Sequence, residues 1–381
     1  MKTVNAPQLI NQAAAGRWTV TQARDWYAAQ PWPVGCNFLP SDAANQLEMW
    51  QATTFNPALI KRELGWLAAL GLNTVRVFLH DLLWQQDRAG FLARLDQFLT
   101  ISAGLGLRPM LVFFDSCWHP FPRLGPQCAP EPGVHNSRWV QSPGLRVLRR
   151  PADFDRLRPY LTGVISRFRD DARVFAWDLW NEPDNHNWAS RGPRDFPTVV
   201  AKGEVVFPLL ARTFQWARAA RPSQPLTSGI WFGQYWDNDE TLTQHPPLGQ
   251  LQARASDLIT FHRYDTLPVT RQTVQMLRRF GRPLICTEYM ARPAGSTFAA
   301  ILPYFKKQRV GAYHWGAVAG RAQTEYPWDS WQQPYEREPK LWHHDLLRRD
   351  GTPYRRAEAN LIKKLTAHSK RNGPRGGAAN P

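Results

Sequence analysis

Two glutamates stand at the ends of apolar runs that are short enough to be strands. Glu182 closely follows the run VFAWDLW at 174–180, and Glu288 lies near the end of PLICTEY at 283–289. A carboxylate placed among so many apolar residues needs polar partners, and a single such Glu is more often salt-bridged than catalytic. Two carboxylates that face each other are the machinery of glycoside hydrolysis, in which one protonates the leaving oxygen while the other attacks or activates water. The pair predicts this chemistry if the fold brings both runs together.

Further polar or aromatic residues lie at the ends of other apolar runs. They are Arg76 and His80-Asp81 with the run at 74–79, Asp115 to His119 after the run at 109–114, Asn181 beside Glu182, His262 and Tyr264 in the run at 258–264, and Trp315 in the run at 311–317. Side chains two apart on a strand share a face, so His262 and Tyr264 should point the same way. By the same rule Trp180 and Glu182 share parity.

Eight such runs recur along the chain, the other two at 34–39 and 225–231, and amphipathic segments separate them. Strands that are apolar on both faces are typical of a parallel sheet covered by helices. The helix at Asn56-Pro57 begins with an N-cap and a proline in its first turn, and Gly71 ends it. Strands alternating with helices predict an α/β protein, a single (β/α)8 TIM barrel with elaborated βα loops. Active sites of such barrels lie at the carboxyl ends of the strands.

The sequence predicts one catalytic domain with two flanking segments. An N-terminal extension at 1–33 should pack on the barrel at 34–365, and residues 366–381 read as a flexible basic tail. The longest connection, from Asp115 to about Pro151, far exceeds the usual βα loop of about 2–6 residues. Because it follows a barrel strand, it should form one wall of the catalytic cleft.

Composition excludes several classes of protein. Lys and Arg number 47 against 31 Asp and Glu, a net charge of +16, but no nucleic-acid-binding signature accompanies it, so we expect solvated helix faces and no nucleic-acid partner. No run of 18 apolar residues exists, which argues against a membrane span. GxGxxG, P-loop and GxSxG motifs are missing, and no cofactor is expected. No secretory signal is visible, so we expect a cytoplasmic protein unless a signal was removed.

Metal and disulfide chemistry receive little support. His343-His344-Asp345 lacks further ligands at a familiar spacing, so no metal site is expected. Cys36 and Cys286 lie in strand-like runs and should be free core thiols, whereas Cys117 and Cys128 could either pair across one loop or remain free. Many of the 18 Trp stand beside loops, where indole rings can fill the core or stack on the apolar face of a sugar.

Several short motifs resemble the clan A glycoside hydrolases, most closely the cellulase- and mannanase-like retaining β-glycosidases of glycoside hydrolase family 5. The motifs are Trp-Asn-Glu-Pro at 180–183, His-Arg-Tyr at 262–264, Thr-Glu-Tyr at 287–289, Val-Arg-Val at 75–77 and His-Trp at 314–315. The resemblance runs from about 34 to 365 and includes Gly-Thr-Pro-Tyr at 351–354. An isolated Asn-Glu-Pro is a moderate signal. The order of Asn-Glu-Pro, His-x-Tyr and Glu on strands four, six and seven is far more specific.

This resemblance implies a role for each matching residue. Glu182 would be the general acid/base and Glu288 the nucleophile. Arg76 and Tyr264 would hold Glu288 ionised, and Asn181 would bind the sugar 2-hydroxyl. Two further residues complete the implied set, His262 beside Glu182 and Trp315 beneath the sugar whose bond is cut.

The sequence departs from the family pattern at two places. Family members commonly carry a site histidine after strand three, where this chain has Asp115-Ser116-Cys117-Trp118-His119, so Trp118 and His119 are candidates and the match stays open. His80-Asp81 could clamp the hydroxyls of a terminal sugar, or could be a buried ion pair that shapes its loop.

The leading hypothesis is a retaining β-glycosidase that acts by double displacement on β-linked gluco- or manno-configured oligosaccharides. We expect exo action on short substrates such as β-mannosides, by a monomer or weak oligomer. An open-cleft endo-β-1,4-glycanase (cellulase, mannanase or xylanase) and a transglycosylase use the same residues and remain alternatives. A non-catalytic sugar-binding barrel is disfavoured, because both glutamates and their supporting residues are present.

Overall fold

The computed structural model describes residues 5–187, 193–231 and 247–367. Its strands are β1 Val34–Asn37, β2 Thr74–Phe78, β3 Met110–Asp115, β4 Ala176–Asn181, β5 Leu226–Gly229, β6 Ile259–His262, β7 Leu284–Tyr289 and β8 Gly311–His314. Its α-helices are α1 Ala6–Ala14, α2 Val20–Ala28, α3 Gln46–Trp50, α4 Pro57–Ala69, α5 Asp81–Gly104, α6 Leu145–Leu148, α7 Arg158–Phe168, α8 Val199–Ala219, α9 Leu248–Ala255, α10 Leu267–Arg278, α11 Phe298–Gln308 and α12 Arg356–Ala367. Three 3₁₀ helices add Pro151–Leu157, Arg292–Ala294 and Trp328–Trp331.

The strands form one parallel sheet in the order β5-β4-β3-β2-β1-β8-β7-β6. A parallel bridge between Ile230 and Phe261 joins the two end strands, where the His262 amide donates to the Ile230 carbonyl at 2.9 Å. Every strand residue is buried, which explains why the strands coincide with the eight apolar runs, β3 and β4 each extending one polar residue beyond its run. The predicted (β/α)8 TIM barrel is confirmed.

Local signals set the helix ends as expected. The Asn56 side chain accepts the Leu59 amide at 3.1 Å, and α4 begins at the proline that follows. Gly71, just beyond the end of this helix, has φ 91°, a conformation that glycine adopts without penalty.

The N-terminal segment lies against the lower end of the barrel. Helix α1 packs on α8 and α9. The Trp18 amide donates to Asp257 at 2.8 Å, and Trp32 Nε1 donates to the Val310 carbonyl at 2.7 Å. Asp257 and Val310 precede β6 and β8, so this segment covers the end opposite the catalytic rim. The tail predicted at 366–381 lies, from residue 368 onward, outside the described residues.

The connection after β3 is packed rather than extended. It pairs with the end of β3 through Asp115 and Ser142, whose backbones exchange hydrogen bonds of 2.6 and 2.9 Å. Val134, Trp139 and Val140 are buried within it. Such packing makes the connection a fixed part of the catalytic rim.

All four cysteines are free; Cys117 is buried and Cys128 is exposed, whereas Cys36 and Cys286 lie in the core as expected. Among the described residues, none of the helices has the length and apolar character needed to cross a membrane.

Candidate active site

Glu182 lies directly after β4, in a backbone conformation that side chains rarely adopt. Its φ is 46°, and such outliers concentrate at functional sites because the surrounding structure must hold them. Oε1 of Glu182 lies 2.6 Å from Nδ1 of His262, while Oε2 accepts from Asn185 Nδ2 at 2.7 Å and from the Cys117 thiol at 3.3 Å. The turn therefore aims the carboxyl away from the strand and into a set of polar partners.

Glu288, on β7, has a different set of partners. Its Oε1 accepts from Arg76 Nη1 at 3.0 Å, and its Oε2 accepts from the Tyr264 hydroxyl at 2.8 Å. His262 Nδ1 lies 3.4 Å from the same Oε2. His262 and Tyr264 thus reach the two carboxyls from one strand end, as their spacing predicted.

The two carboxyls lie close together. One oxygen from each and a ring nitrogen of His262 all lie within 4.8 Å of one another. Retaining glycosidases have carboxyls about 5–5.5 Å apart, whereas inverting enzymes leave about 6.5–9.5 Å for a water molecule. The separation matches the retaining arrangement.

Arg76 connects the nucleophile candidate to the strands around it. The guanidinium is fully buried, and Nε and Nη2 both donate to Asp178 Oδ2, at 3.0 and 2.8 Å. Nη1 also donates to Asn37 Oδ1 at 2.9 Å, in addition to its bond to Glu288. Asp178 compensates the buried positive charge, so the Arg76 fork is held rigidly beneath the site.

Asn181, at the end of β4, is fixed on both sides of its amide. Oδ1 accepts from Arg76 Nη2 at 2.7 Å, and Nδ2 donates to Asp115 Oδ1 at 2.9 Å. A register shift in the pairing of β4 with β5 falls between Asp178 and Asn181. These residues have opposite parity, yet both contact Arg76.

Burial controls the protonation of this cluster. Removal from water raises the pKa of Glu182 and that of Glu288 to about 7 each, and hydrogen bonds oppose the rise at both. Among the partners contributed by residues 5–187, 193–231 and 247–367, a cation at hydrogen-bond distance, Arg76, is found for Glu288 and not for Glu182. Burial also lowers the pKa of His262 to about 4, so the imidazole is neutral and can donate Nδ1–H to an ionised Glu182.

A cavity of about 390 Å³ opens above the two glutamates. Six tryptophans contribute to its lining, namely Trp118, Trp139, Trp231, Trp315, Trp328 and Trp331. Trp315 packs edge-on against Phe78 and Trp139, at centroid distances of 5.7 and 5.6 Å. A cavity of this size and aromatic character suits one or two sugar rings.

One wall of the cavity is a seam between the connection after β3 and the segment after β8. The His135 amide donates to Ser330 Oγ at 2.9 Å, and Trp331 Nε1 donates back to the His135 carbonyl at 2.8 Å. The Asn136 amide donates to the Ala322 carbonyl at 2.8 Å. These mutual bonds join two loops that are distant in sequence.

Three residues considered for the site lie elsewhere. His80 and Asp81 are fully buried as a pair, with Nδ1 3.2 Å from Oδ1, and neither lines the cavity; Asp81 accepts from Ser142 Oγ at 2.8 Å. The pair therefore lies outside the cavity, beside the Ser142 hydroxyl of the connection after β3. His119 lines a separate cavity beside Arg123. The residue after β3 that touches Glu182 is Cys117, two positions earlier.

The parity expected for Trp180 and Glu182 does not carry both side chains into the site. Trp180 packs on Phe114 in the core at 5.2 Å between centroids, because the left-handed turn at Glu182 breaks the alternation. Sequence reasoning also missed Asp178, although a charge inside an apolar run is a usable signal. His135 and His344, which line the cavity, carried no such signal.

The described residues contain one group of three possible metal ligands within 4.8 Å of one another, Glu182, His262 and Glu288. Arg76 already holds Glu288 at 3.0 Å, and its positive charge disfavours a cation there. The run His343-His344-Asp345 is not such a group.

No protein-family model and no curated protein matches the sequence, but solved structures match the fold. An exo-β-1,4-mannosidase, Op5Man5 from Opitutaceae bacterium strain TAV5, is 22% identical over 89% of this chain, with a TM-score of 0.58; the chain spans 60% of its length. A GH5_18 structure from Streptomyces cattleya, in complex with Manb1-4GlcNAc, is 15% identical over 90% of this chain and 82% of its own, with a TM-score of 0.59. XEG5A, a GH5 xyloglucan-specific endo-β-1,4-glucanase from a metagenomic library, is 12% identical over 91% of this chain and 99% of its own, with a TM-score of 0.56.

The barrel therefore has the fold of the clan A glycoside hydrolases. Within that clan, the matching structures include family 5 enzymes, and the family 5 fold expected from the sequence motifs is confirmed.

Proposed function

We propose that this protein is a retaining β-glycoside hydrolase. The observation that carries the proposal is the pair Glu182 and Glu288, whose carboxyl oxygens lie within 4.8 Å at one side of a cavity lined by tryptophans. The close approach leaves no room for a water molecule between the carboxyls and the sugar face, so one carboxyl must itself be the nucleophile.

The different partners of the two carboxyls assign their roles. Glu288 accepts from the Arg76 cation and the Tyr264 hydroxyl, both of which stabilise its ionised form. Within the described part of the chain, the groups that bond to Glu182 are neutral, namely those of His262, Asn185 and Cys117. When the pair holds one proton, that proton belongs on Glu182. Glu288 is the nucleophile and Glu182 the general acid.

The reaction follows in two displacements. Glu288 attacks the anomeric carbon as the glycosidic C–O bond breaks, and Glu182 gives its proton to the departing oxygen. A water molecule then attacks the glycosyl ester, Glu182 takes up its proton, and Glu288 leaves as a carboxylate. Two inversions return the original anomeric configuration. Asn181, fixed by Arg76 and Asp115, offers its amide to the 2-hydroxyl, a contact that strengthens as the oxocarbenium-like transition state forms.

The wall supports exo action on short β-linked substrates. The seam at His135, Ser330 and Trp331 bounds one side of the cavity, where a long chain would have to pass two loops that are joined to each other. One matching structure is that of an exo-β-1,4-mannosidase and another holds Manb1-4GlcNAc, so β-mannosides are the first substrates to test. The endo-glucanase among the matches keeps internal cleavage as the alternative.

The test is a substrate screen with product analysis. Aryl β-mannosides, β-glucosides and β-xylosides and the corresponding oligosaccharides are incubated with the enzyme, and products are sized by chromatography while NMR follows the first anomer. We expect single sugars from chain ends, released first as the β anomer. An α anomer would refute the nucleophilic role of Glu288. Rapid viscosity loss with mixed oligomers from polymers would refute exo action. Glu288→Gln is the control that excludes a contaminating hydrolase.

A further inference from the structure

Two histidines of the cavity wall take no part in the proposed reaction. His135 lies in the connection after β3 and His344 in the segment after β8, and their ring centroids are 5.3 Å apart. Both line the cavity that contains Glu182 and Glu288, and each is at most 2% exposed. Two imidazoles from distant parts of the chain thus meet at one place in the site.

The hydrogen bonds of these rings define which nitrogen carries the proton. Nδ1 of His135 lies 2.8 Å from the Tyr326 carbonyl oxygen, and Nδ1 of His344 lies 2.5 Å from that of Met290. A carbonyl can only accept, so each Nδ1 must be the donor. In a neutral ring Nε2 then presents a lone pair, and neither Nε2 is bonded to any group in the described part of the chain.

Both rings are neutral at ordinary pH. Burial lowers the pKa of His135 to about 4, and burial together with the neighbouring His343 lowers the pKa of His344 well below its usual value. The wall therefore holds two hydrogen-bond acceptors that lack charge. Such acceptors suit hydroxyl donors, whereas a cation would be needed to attract a carboxylate or sulfate.

The position of His344 indicates which sugar is bound. Its ring lies 5.4 Å from that of Tyr264, whose hydroxyl contacts Glu288, so this part of the wall borders the nucleophile. Two indole rings flank the pair, Trp331 at 5.4 Å from His135 and Trp328 at 5.7 Å from His344. Apolar faces beside acceptors are the combination that a pyranose requires.

We propose that His135 and His344 form a recognition subsite for the glycone, the sugar that becomes joined to Glu288, each accepting a hydrogen bond from one sugar hydroxyl at Nε2. The proposal rests on the function proposed above and deepens it. The subsite selects chain-terminal sugars whose hydroxyls at these positions are free. Methyl ethers or acetyl esters at the same hydroxyls lack the donor hydrogen and are refused.

Two substitutions at each histidine separate recognition from a structural role. Asn places an amide nitrogen near the position of Nδ1, so His135→Asn and His344→Asn keep the donor to the carbonyl and lose the acceptor. Gln places an oxygen near the position of Nε2, so His135→Gln and His344→Gln keep an acceptor and lose that donor. Recognition predicts that Gln is tolerated better than Asn, and a purely structural role predicts the reverse.

The measurement pairs these variants with altered substrates. kcat/KM is determined for an aryl β-glycoside and for its 3-, 4- and 6-deoxy analogues. The wild-type protein should lose about threefold to tenfold on the analogue that lacks the partner hydroxyl of each histidine. On the parent substrate, the kcat/KM of each Asn variant should fall by a similar factor relative to wild type. On the analogue that lacks the partner hydroxyl of the replaced histidine, kcat/KM of that variant should fall little further. If every variant retains the wild-type penalty at all three hydroxyls, the subsite is refuted.

His343→Asn is the matched control. The His343 ring lies 4.2 Å from that of His344 but does not line the cavity, so this variant should retain the full penalty for each deoxy analogue. The same cycle is repeated by calorimetric binding to Glu288→Gln protein, which lacks the nucleophile and therefore reports recognition without turnover. If the losses caused by a histidine variant and by a deoxy analogue depend on each other in binding, but the wild-type protein hydrolyses no glycoside, only the proposed activity is refuted. If the wild-type protein hydrolyses glycosides and the two losses are independent, only the subsite is refuted.

Discussion

Tyr264→Phe tests the electrostatic assignment of the nucleophile. The hydroxyl donates to Glu288 Oε2 at 2.8 Å in a partly buried setting, and the substitution removes this one bond while the ring remains. A hydrogen bond to a charged group contributes about 1.5–3 kcal/mol, and one pKa unit corresponds to about 1.4 kcal/mol. Because the bond favours the ionised form and so lowers the pKa of Glu288, its loss should raise that pKa by about 1–2 units.

The pH profile of kcat/KM measures this shift. The acidic limb reports ionisation of the nucleophile in the free enzyme, so Tyr264→Phe should move it upward by about 1–2 units, and activity below the limb should fall about tenfold per unit. Tyr289→Phe is the matched control. Tyr289 is a buried tyrosine next to Glu288 on β7, and its ring packs on Phe298 and Phe305. An unmoved acidic limb in Tyr264→Phe, or an equal shift in both variants, would refute the reasoning.

Three further predictions concern the acid, its neighbour and the wall. Glu288→Ala and Glu182→Ala should leave the circular dichroism spectrum intact and remove most turnover; for Glu182→Ala a general-acid loss of about 10²–10⁴-fold should shrink on aryl glycosides with good leaving groups, and equal losses would argue against the acid role. The Cys117 thiol contacts Glu182 Oε2 at 3.3 Å, and this hydrogen bond lowers the pKa of Glu182. Cys117→Val removes the bond, so the basic limb of the pH profile should move to higher pH. Cys128→Val, at an exposed position, should leave the limb in place, and a downward shift in Cys117→Val would contradict this role. Shortening the connection between Pro120 and Gly144 should raise activity on polymers and weaken it on disaccharides, as viscometry and product sizing would reveal; unchanged preferences would show that the wall does not govern substrate length.

The sequence alone determined the barrel and most of the catalytic cluster. A strand buried on both faces must be apolar along its whole length, so eight short runs were enough to predict eight parallel strands. Since the carboxyl ends of parallel strands share one rim, polar residues at those ends had to meet there. Arg76, His262, Tyr264 and Glu288 come together for this reason, and so does Glu182.

Only the tertiary structure decided which loop residues join that cluster. Alternation along β4 predicted that the side chains of Trp180 and Glu182 lie on the same face, but the left-handed backbone of Glu182 directs them to different places. After β3, the sequence indicated His119 as a candidate site residue, but the side chain that contacts Glu182 is Cys117, and His119 lines another cavity. His135 and His344 meet through a seam between loops that are about two hundred residues apart. Periodicity and capping act over one or two turns of chain, whereas the course of a long loop depends on packing against distant segments, which no local pattern encodes.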